Sequence, residues 1–423
     1  MKIAKSALID PERNEAYGIA AIALSFFVFA YSAKFGQISI LGYYGVWFLL
    51  VLADYRRVLG NYIKYLWIFS FALFCFVSAF WSPAFGTSLR TAIQYMTHIV
   101  CALVAMRTIS LQTLTRGAIV GVAVVLVYSL LFGNYLYDVI DGSYSFVGAF
   151  SSKNQLGFYA SLGIFFSYAT VMIFGARRLW FAAAGVISLI SAYSLLASQS
   201  ATSVITTVAV VALCIGLQGF MFLAPKNRRF FFAAAVVLAI VTGVAGLQLG
   251  AADAVLGVFG KDSTLTGRTY LWQQGIAAAG QNPFLGIGYQ GYWVPGFADA
   301  ERLWDEFFIT GRSGFHFHNT YIETMVETGL VGTLLIVTIL LTILGSYLKR
   351  LLTVGRTPEA LFCFGIGTLL LVRSFVEIDI MNPYHVGSFL FYFTAGKLTL
   401  PRTAPARAYF DQYLPNPTTM QEG

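Results

Sequence analysis

The chain of 423 residues is 58% hydrophobic and 16% aromatic but only 11% charged, with a mean hydropathy of +0.72. A water-soluble domain of this length needs far more charge to cover its surface, so that class is excluded. The net charge of +8 calls for no nucleic acid as partner, because the cations are distributed as membrane topology demands.

The opening "MKIAKSALIDPERNEAYG" mixes acids and bases, and no short apolar stretch with a small-residue cleavage site follows it, so no removable signal peptide is expected. Beyond it, apolar runs of about 17–25 residues suit a hydrocarbon core about 30 Å thick. About twelve are read, at 16–33, 38–53, 65–81, 89–106, 115–133, 155–174, 179–197, 202–223, 230–249, 320–347, 359–376 and 385–400. The run at 89–106 is the most polar, carrying Arg90 and His98. With the N-terminus inside, only Lys34, Arg90, Lys153, Lys261, Arg268, Arg302, Arg312 and Arg373 of the 27 cations fall outside. The bias alternates at every turn, which places both ends in the cytoplasm. Cys75, Cys101, Cys214 and Cys363 all lie within predicted spans and read as small core residues rather than as a disulfide framework or zinc site.

The expected organisation is an all-α polytopic membrane fold: spans over 1–249, a large outer loop over 250–319, three more spans over 320–400, and a cytoplasmic tail over 401–423. A smaller outer loop covers 134–155. A structureless loop as long as 250–319 is uncommon and usually functional. Within it, "TGRTYLWQQGIAAAGQ" reads as a helix opened by Thr266 and closed near Gly280, and "DAERLWDEFF" as a short amphipathic helix. The "GIGYQG" between them lacks the spacing and the strand–helix context of a dinucleotide fingerprint. Asp299 and Glu301 form a D-x-E pair too weak to be read as a metal site.

Two of the four histidines, His316 and His318, stand together just before the tenth span, in "FHFHNTYIETMVETGLVG". Thr320 and Glu323 form a capping-box pattern, with Asn319 as the alternative cap. Either choice puts His318 beside the N-terminus of a helix about 42 Å long, whose first turns would stand out of the bilayer. Free N–H groups there attract anions, and a histidine exchanges protons near neutral pH. His318 is therefore a candidate base, or simply a polar group facing water. Glu323 and Glu327 share a helical face; they could orient a histidine, bind a cation, or be solvated first-turn acids. Among the outer cations, Arg268, Lys153, Arg302 and Arg312 are candidates for holding a diphosphate. Each could instead pair with a nearby acid, and Arg373 is expected to pair with Glu377 one turn on. Trp272, Tyr289 and Trp293 offer faces on which sugars stack, although interfacial anchoring also explains loop aromatics.

"TLTGRTYLWQQGIAAAGQNPFLGIGYQGYW", followed by "HNTYIETMVETGLVG", resembles the shared core of the bacterial O-antigen ligase and polymerase superfamily. "GAFSSKNQLG" resembles the Lys-Asn motif (here Lys153 and Asn154) of exopolysaccharide polymerases of the succinoglycan type. Where ligases usually carry a Ser-Arg motif, this chain has "ASQSATS" with no arginine, and Lys153 is the candidate substitute. The resemblance implies a GT-C-like fold in the bacterial inner membrane, with its active site on the periplasmic side and no metal or cofactor. The implied donor is an undecaprenyl-diphosphate-linked oligosaccharide. The acceptor is a sugar hydroxyl of another lipid-linked repeat unit, or of lipid A–core in a ligase, and a chain-length regulator is a further candidate partner. His318 and Arg268 would be catalytic. Lys153, Asn154, Asn319, Arg302, Arg312 and Glu323 would bind substrate or its diphosphate. A transporter of the same lipid is the rival from another class, but transporters place ionisable groups near the bilayer midplane, where this chain has almost none.

Overall fold

The computed structural model describes residues 5–400 apart from 138–141, 143, 252–253, 255–256, 258–266 and 355–356. Lys261, the expected helix opening at Thr266 and the expected tail 401–423 lie outside the described residues. Among those described, nine helical stretches are long and apolar enough to cross a membrane. In chain order the helices are α1 (Glu15–Ala53), α2 (Leu66–Ser78), α3 (Phe85–Thr108), α4 (Leu111–Phe132), α5 (Lys153–Tyr168), α6 (Leu179–Ala197), α7 (Ala201–Phe220) and α8 (Pro225–Gln248). After the loop helices α9 (Arg268–Gln281) and α10 (Ala298–Glu306) come α11 (Thr320–Thr353), α12 (Pro358–Ser374) and α13 (Val386–Lys397).

Nine stretches stand against about twelve expected spans for two reasons. Helices α12 and α13, at 17 and 12 residues, stand alone and are shorter than a full crossing, whereas adjoining helical turns extend α2 to Tyr55–Trp81 and α5 to Lys153–Ile173. Helix α1 takes up two expected spans at once. Its backbone departs from helical geometry at Tyr31 and at Gly36, where φ is +63°. The second half then runs back along the first: Tyr17 Oη donates to the Val46 carbonyl at 2.6 Å, and Trp47 Nε1 to Ser25 Oγ at 3.0 Å. Glycine tolerates that left-handed φ at no steric cost, so the hairpin needs no separate loop.

The bundle core joins α1 to α7 with α11 to α13. Gly117 and Gly121 let α4 lie against α1, since a Cβ at either would come within 2.8 Å of Ile22 or Phe26. His98 is buried in α3 and meets Tyr43 Oη at 3.0 Å, which accounts for one polar group in that span. All four cysteines are buried and free, as read from the sequence. Helix α8 is almost wholly exposed along its length, as suits a helix surrounded by lipid. One departure from an all-α fold is a hairpin of β1 (Asn134–Tyr137) and β2 (Tyr144–Gly148) in the smaller loop.

The feature that positions the site is a second break. Helix α11 does not run straight, as expected, but turns sharply at Gly329 (φ +62°). Thr324 and Thr333 hydroxyls meet at 3.0 Å across the bend. Backbone groups freed by the break are taken up by the loop: Ile287 N donates to Val326 O, Gly288 N to Glu327 O, Leu330 N to Pro283 O and Val331 N to Phe284 O, at 2.8–3.2 Å. Unpaired backbone groups cost several kcal/mol in an apolar setting, so the break and the docked loop require one another. The loop has its own core, in which Leu271, Tyr292, Leu303, Trp304 and Phe317 pack on Val326.

A Cβ at Gly286 would lie 2.4 Å from the Glu327 carbonyl carbon, at a φ of +66°. Gly286→Ala is therefore expected to lower the unfolding temperature in detergent, by a stability loss of at least about 1–3 kcal/mol. Gly280→Ala, whose Cβ meets nothing within 4 Å, should be neutral or slightly stabilising. Equal behaviour of the two variants would contradict the docked loop.

Candidate active site

The segment before α11 is clamped from both sides at Phe317. Trp272 Nε1 donates to the Phe317 carbonyl at 2.9 Å, while the Phe317 N–H donates to Glu323 Oε2 at 2.7 Å. Trp293 Nε1 donates to the other oxygen of Glu323 at 2.9 Å. Phe317 is thereby buried in the loop core, and the flanking His316 and His318 face a common point. Asn319 is the cap of α11, its Oδ1 accepting from Tyr321 N at 2.9 Å and Ile322 N at 3.1 Å. The Thr320–Glu323 capping box does not form, because the Glu323 carboxylate is committed to Phe317 and Trp293.

The common point is Glu377, in the turn between α12 and α13. Asn319 Nδ2 donates to the Phe375 carbonyl at 2.9 Å, and Thr320 Oγ1 to the Glu377 carbonyl at 2.7 Å, fixing the turn to the head of α11. Arg268, the first residue of α9, donates to Glu377 Oε1 at 3.1 Å. Asn154 Nδ2 donates to the same oxygen at 2.9 Å, while Asn154 Oδ1 accepts from Ser200 Oγ. Oε2 faces His318 Nδ1 at 3.5 Å and His316 Nε2 at 4.0 Å. Burial alone would push the Glu377 carboxyl up, but His318 and Arg268 outweigh it and hold the group well below the usual carboxylate range. Burial, with the neighbouring His318 adding to it, pushes His316 well below the ordinary imidazole value, so its ring is neutral at pH 7.

His316, His318 and Glu377 each offer one ligand atom within 4.8 Å of the others, close enough for a divalent ion to bridge. The tautomer opposes that use. The His318 N–H donates to His316 Nδ1 at 3.0 Å, so a neutral His316 carries its proton on Nε2, the atom that would have to ligate. Arg268 adds a fixed positive charge on the other oxygen of the carboxylate.

A second charged group lies beside the first. Arg373 pairs with Asp379, not with Glu377 as expected, because α12 ends at Ser374 and the i, i+4 relation is lost in the turn. Its guanidinium lies 3.9 Å from the Phe158 ring centroid and reaches Ser203 Oγ at 3.4 Å, at the "ASQSATS" stretch. His385 stacks on the same Phe158 and places Nε2 3.6 Å from Asp379.

Of the residues singled out from sequence, the structure gathers His316, His318, Asn319, Arg268 and Asn154, with Lys153 beside Asn154 at the start of α5. It does not bring Arg302 or Arg312 to this cluster. Arg302 pairs with Glu306 at 2.8 Å and Arg312 with Glu301 at 2.8 Å, both on the exposed side of α10. Glu323 is a buried clamp, with both oxygens taken by the Phe317 N–H and Trp293 Nε1. Glu327 is also buried, not a solvated first-turn acid, because the loop covers it. Tyr289 is fully buried, with Oη donating to the Met381 carbonyl at 2.6 Å, so its face is closed to a sugar. Trp272 and Trp293 are half-buried and spend their N–H groups on the clamp. Glu377 went unread as a site residue; its one sequence signal is an acid in a short outer turn.

Apolar helices that cross a membrane, with a histidine–carboxylate–arginine cluster where the large loop meets their ends, define a multi-pass membrane protein with one concentrated polar site. The family described as O-antigen ligase matches residues 186–337, a span that takes in Arg268 and His318 but not Asn154 or Glu377. The exopolysaccharide production protein ExoQ of Rhizobium meliloti (strain 1021) is 62% identical over 402 residues, covering 95% of this chain and 92% of that protein. The chain belongs to this O-antigen ligase superfamily, and its part in the cell is glycan assembly.

A group whose folded pKa is depressed contributes stability that is complete above the unfolded value and is lost as pH falls from there through the folded one. His316 is such a group, so stability should fall as pH drops below about 6.5, the free imidazole value. His316→Gln should flatten that part of the curve in thermal unfolding between pH 7 and 5. An unchanged slope would mean that the ring is not held neutral.

Proposed function

We propose that the chain polymerises exopolysaccharide at the outer face of the bacterial inner membrane. It would move an oligosaccharide from undecaprenyl diphosphate onto a sugar hydroxyl of another lipid-linked repeat unit. The observation that supports this reading best is the convergence on Glu377 of Arg268 from the loop, Asn154 from α5 and the two histidines from the head of α11. These segments are far apart in sequence and share no packing need for ionisable groups.

In this reading His318 takes the proton of the acceptor hydroxyl, a step worth roughly 10²–10⁴ in rate for a well-placed base. The alkoxide oxygen forms a bond to the anomeric carbon as the bond from that carbon to the diphosphate oxygen breaks. The electron pair leaves with undecaprenyl diphosphate, and the single displacement inverts the anomeric centre. Arg268, Lys153 and the N-terminus of α11 face the charge that gathers on the diphosphate. Asn319, as cap of that helix, sets its direction. No metal is needed for any of these steps, and both chain ends would lie in the cytoplasm. The relative's name, an exopolysaccharide production protein, favours the polymerase over a ligase that delivers to lipid A–core.

Purified protein given only its host's lipid-linked repeat unit should build a ladder of longer glycans on a gel. A single transfer product that needs lipid A–core would mean a ligase instead. His318→Ala and Arg268→Ala should each abolish the ladder while the protein still inserts and purifies as a single species. Normal product from either variant removes that residue's role.

A further inference from the structure

We propose that Glu377 is the positioning residue of His318: its Oε2 accepts the Nδ1 proton, which leaves the Nε2 lone pair free for the acceptor hydroxyl. The inference deepens the transfer reaction above and rests on it for the identity of the hydroxyl, but the geometry stands apart from the substrate.

Three observations carry it. First, His318 Nδ1 is shielded from solvent and makes no hydrogen bond among the described residues, while Glu377 Oε2 lies 3.5 Å away. A buried nitrogen in that position needs a partner, and distances of this kind often tighten when substrate is bound. The side chain as a whole keeps 24% of its exposure and none of it is at Nδ1, so a substrate does not meet the ring at that atom. Second, the carboxylate is fixed in its turn. Arg268 and Asn154 hold Oε1, and Thr320 holds the backbone carbonyl. Only Oε2 is left to face the imidazoles. Third, His316 spends its Nδ1 lone pair on the His318 N–H. Its own Nε2 proton therefore also points toward Oε2, and His316 cannot serve as an acceptor that would turn His318 to the other tautomer.

The titratable and charged groups around the pair are few: Arg268 from α9, His316 from the same segment, and His385 with the Asp379–Arg373 pair beyond Glu377. No other carboxylate among the described residues lies within ion-pair reach of His318. Once the hydroxyl proton has moved to Nε2, the imidazolium is matched by Glu377 on its other edge. The proton count closes with one proton gained at Nε2 and none lost from Nδ1.

The test is made on the full-length protein in detergent, with ring-¹⁵N-labelled histidine. The chain has four histidines, and the His318 signals are those lost in His318→Asn. At pH 8 the wild-type His318 should show a protonated Nδ1 and a bare Nε2. Finding the reverse tautomer overturns the proposal without recourse to any variant at Glu377. In Glu377→Gln the tautomer preference should weaken, and kcat for glycan transfer should drop about 10²–10⁴-fold, the scale on which a mis-set tautomer disables a histidine base. Glu377→Asp should restore part of kcat and return the tautomer preference toward wild type. A Glu377→Gln protein with an unchanged tautomer would make the carboxylate merely structural. Because the tautomer is read without turnover, a wild type that shows it but transfers no glycan would refute the polymerase and leave the positioning role standing.

Discussion

A carboxylate taken out of water has to be matched by donors and positive charge, and at Glu377 the matching partners come from three separate parts of the chain. Arg268 opens a loop helix, Asn154 sits in the first turn of α5, and the histidines precede α11. Stripping one partner from such a buried group costs about 3–5 kcal/mol. The ion cluster is therefore a joint as well as a site: it fastens the large loop to the bundle at the place where ionisable chemistry is wanted.

The loop is fastened a second time through backbone. Residues 283–288 take over the hydrogen bonds that α11 gives up at Gly329; Gly286 is needed because the two backbones nearly touch there, and Gly288 because a Cβ would run into Ser82. Glu323, Trp293 and Trp272 then set the register of the histidine segment by gripping both polar groups of Phe317. In this arrangement a helix break, a glycine-rich loop and a buried acid all act to hold two imidazoles in place, and none of them touches the open edge of the His318 ring.

Much of this was legible in the sequence and some was not, for identifiable reasons. Apolar run length located the helices, and the paired histidines next to a capping residue pointed to the cluster that gathers on Glu377. The reversal at Gly36 was readable as two spans, though not as one continuous helical hairpin. The break at Gly329 leaves no trace in hydropathy, because "TGLVG" continues the apolar pattern and the compensating partners lie some 40 residues earlier. For Arg302 and Arg312, whose sequence offered either a ligand role or a nearby acid, the fold supplies the acids, Glu306 and Glu301. Glu377 was read only as a helical neighbour of Arg373. That spacing rule fails once the helix ends at Ser374 and Asp379 swings in to take the arginine.

Glu377 presents one oxygen to the imidazoles and the other to a guanidinium. An anion that draws Arg268 toward itself leaves more of the carboxylate's charge to the ring on the far side. Conversely, a proton arriving on that ring loosens the hold on Arg268 and makes it easier to recruit. Such effects are reciprocal by thermodynamic necessity, so in the proposed reaction the affinity of this site for an anion and its affinity for a proton rise together. A single side chain thereby makes the protein's appetite for one ligand a function of the other.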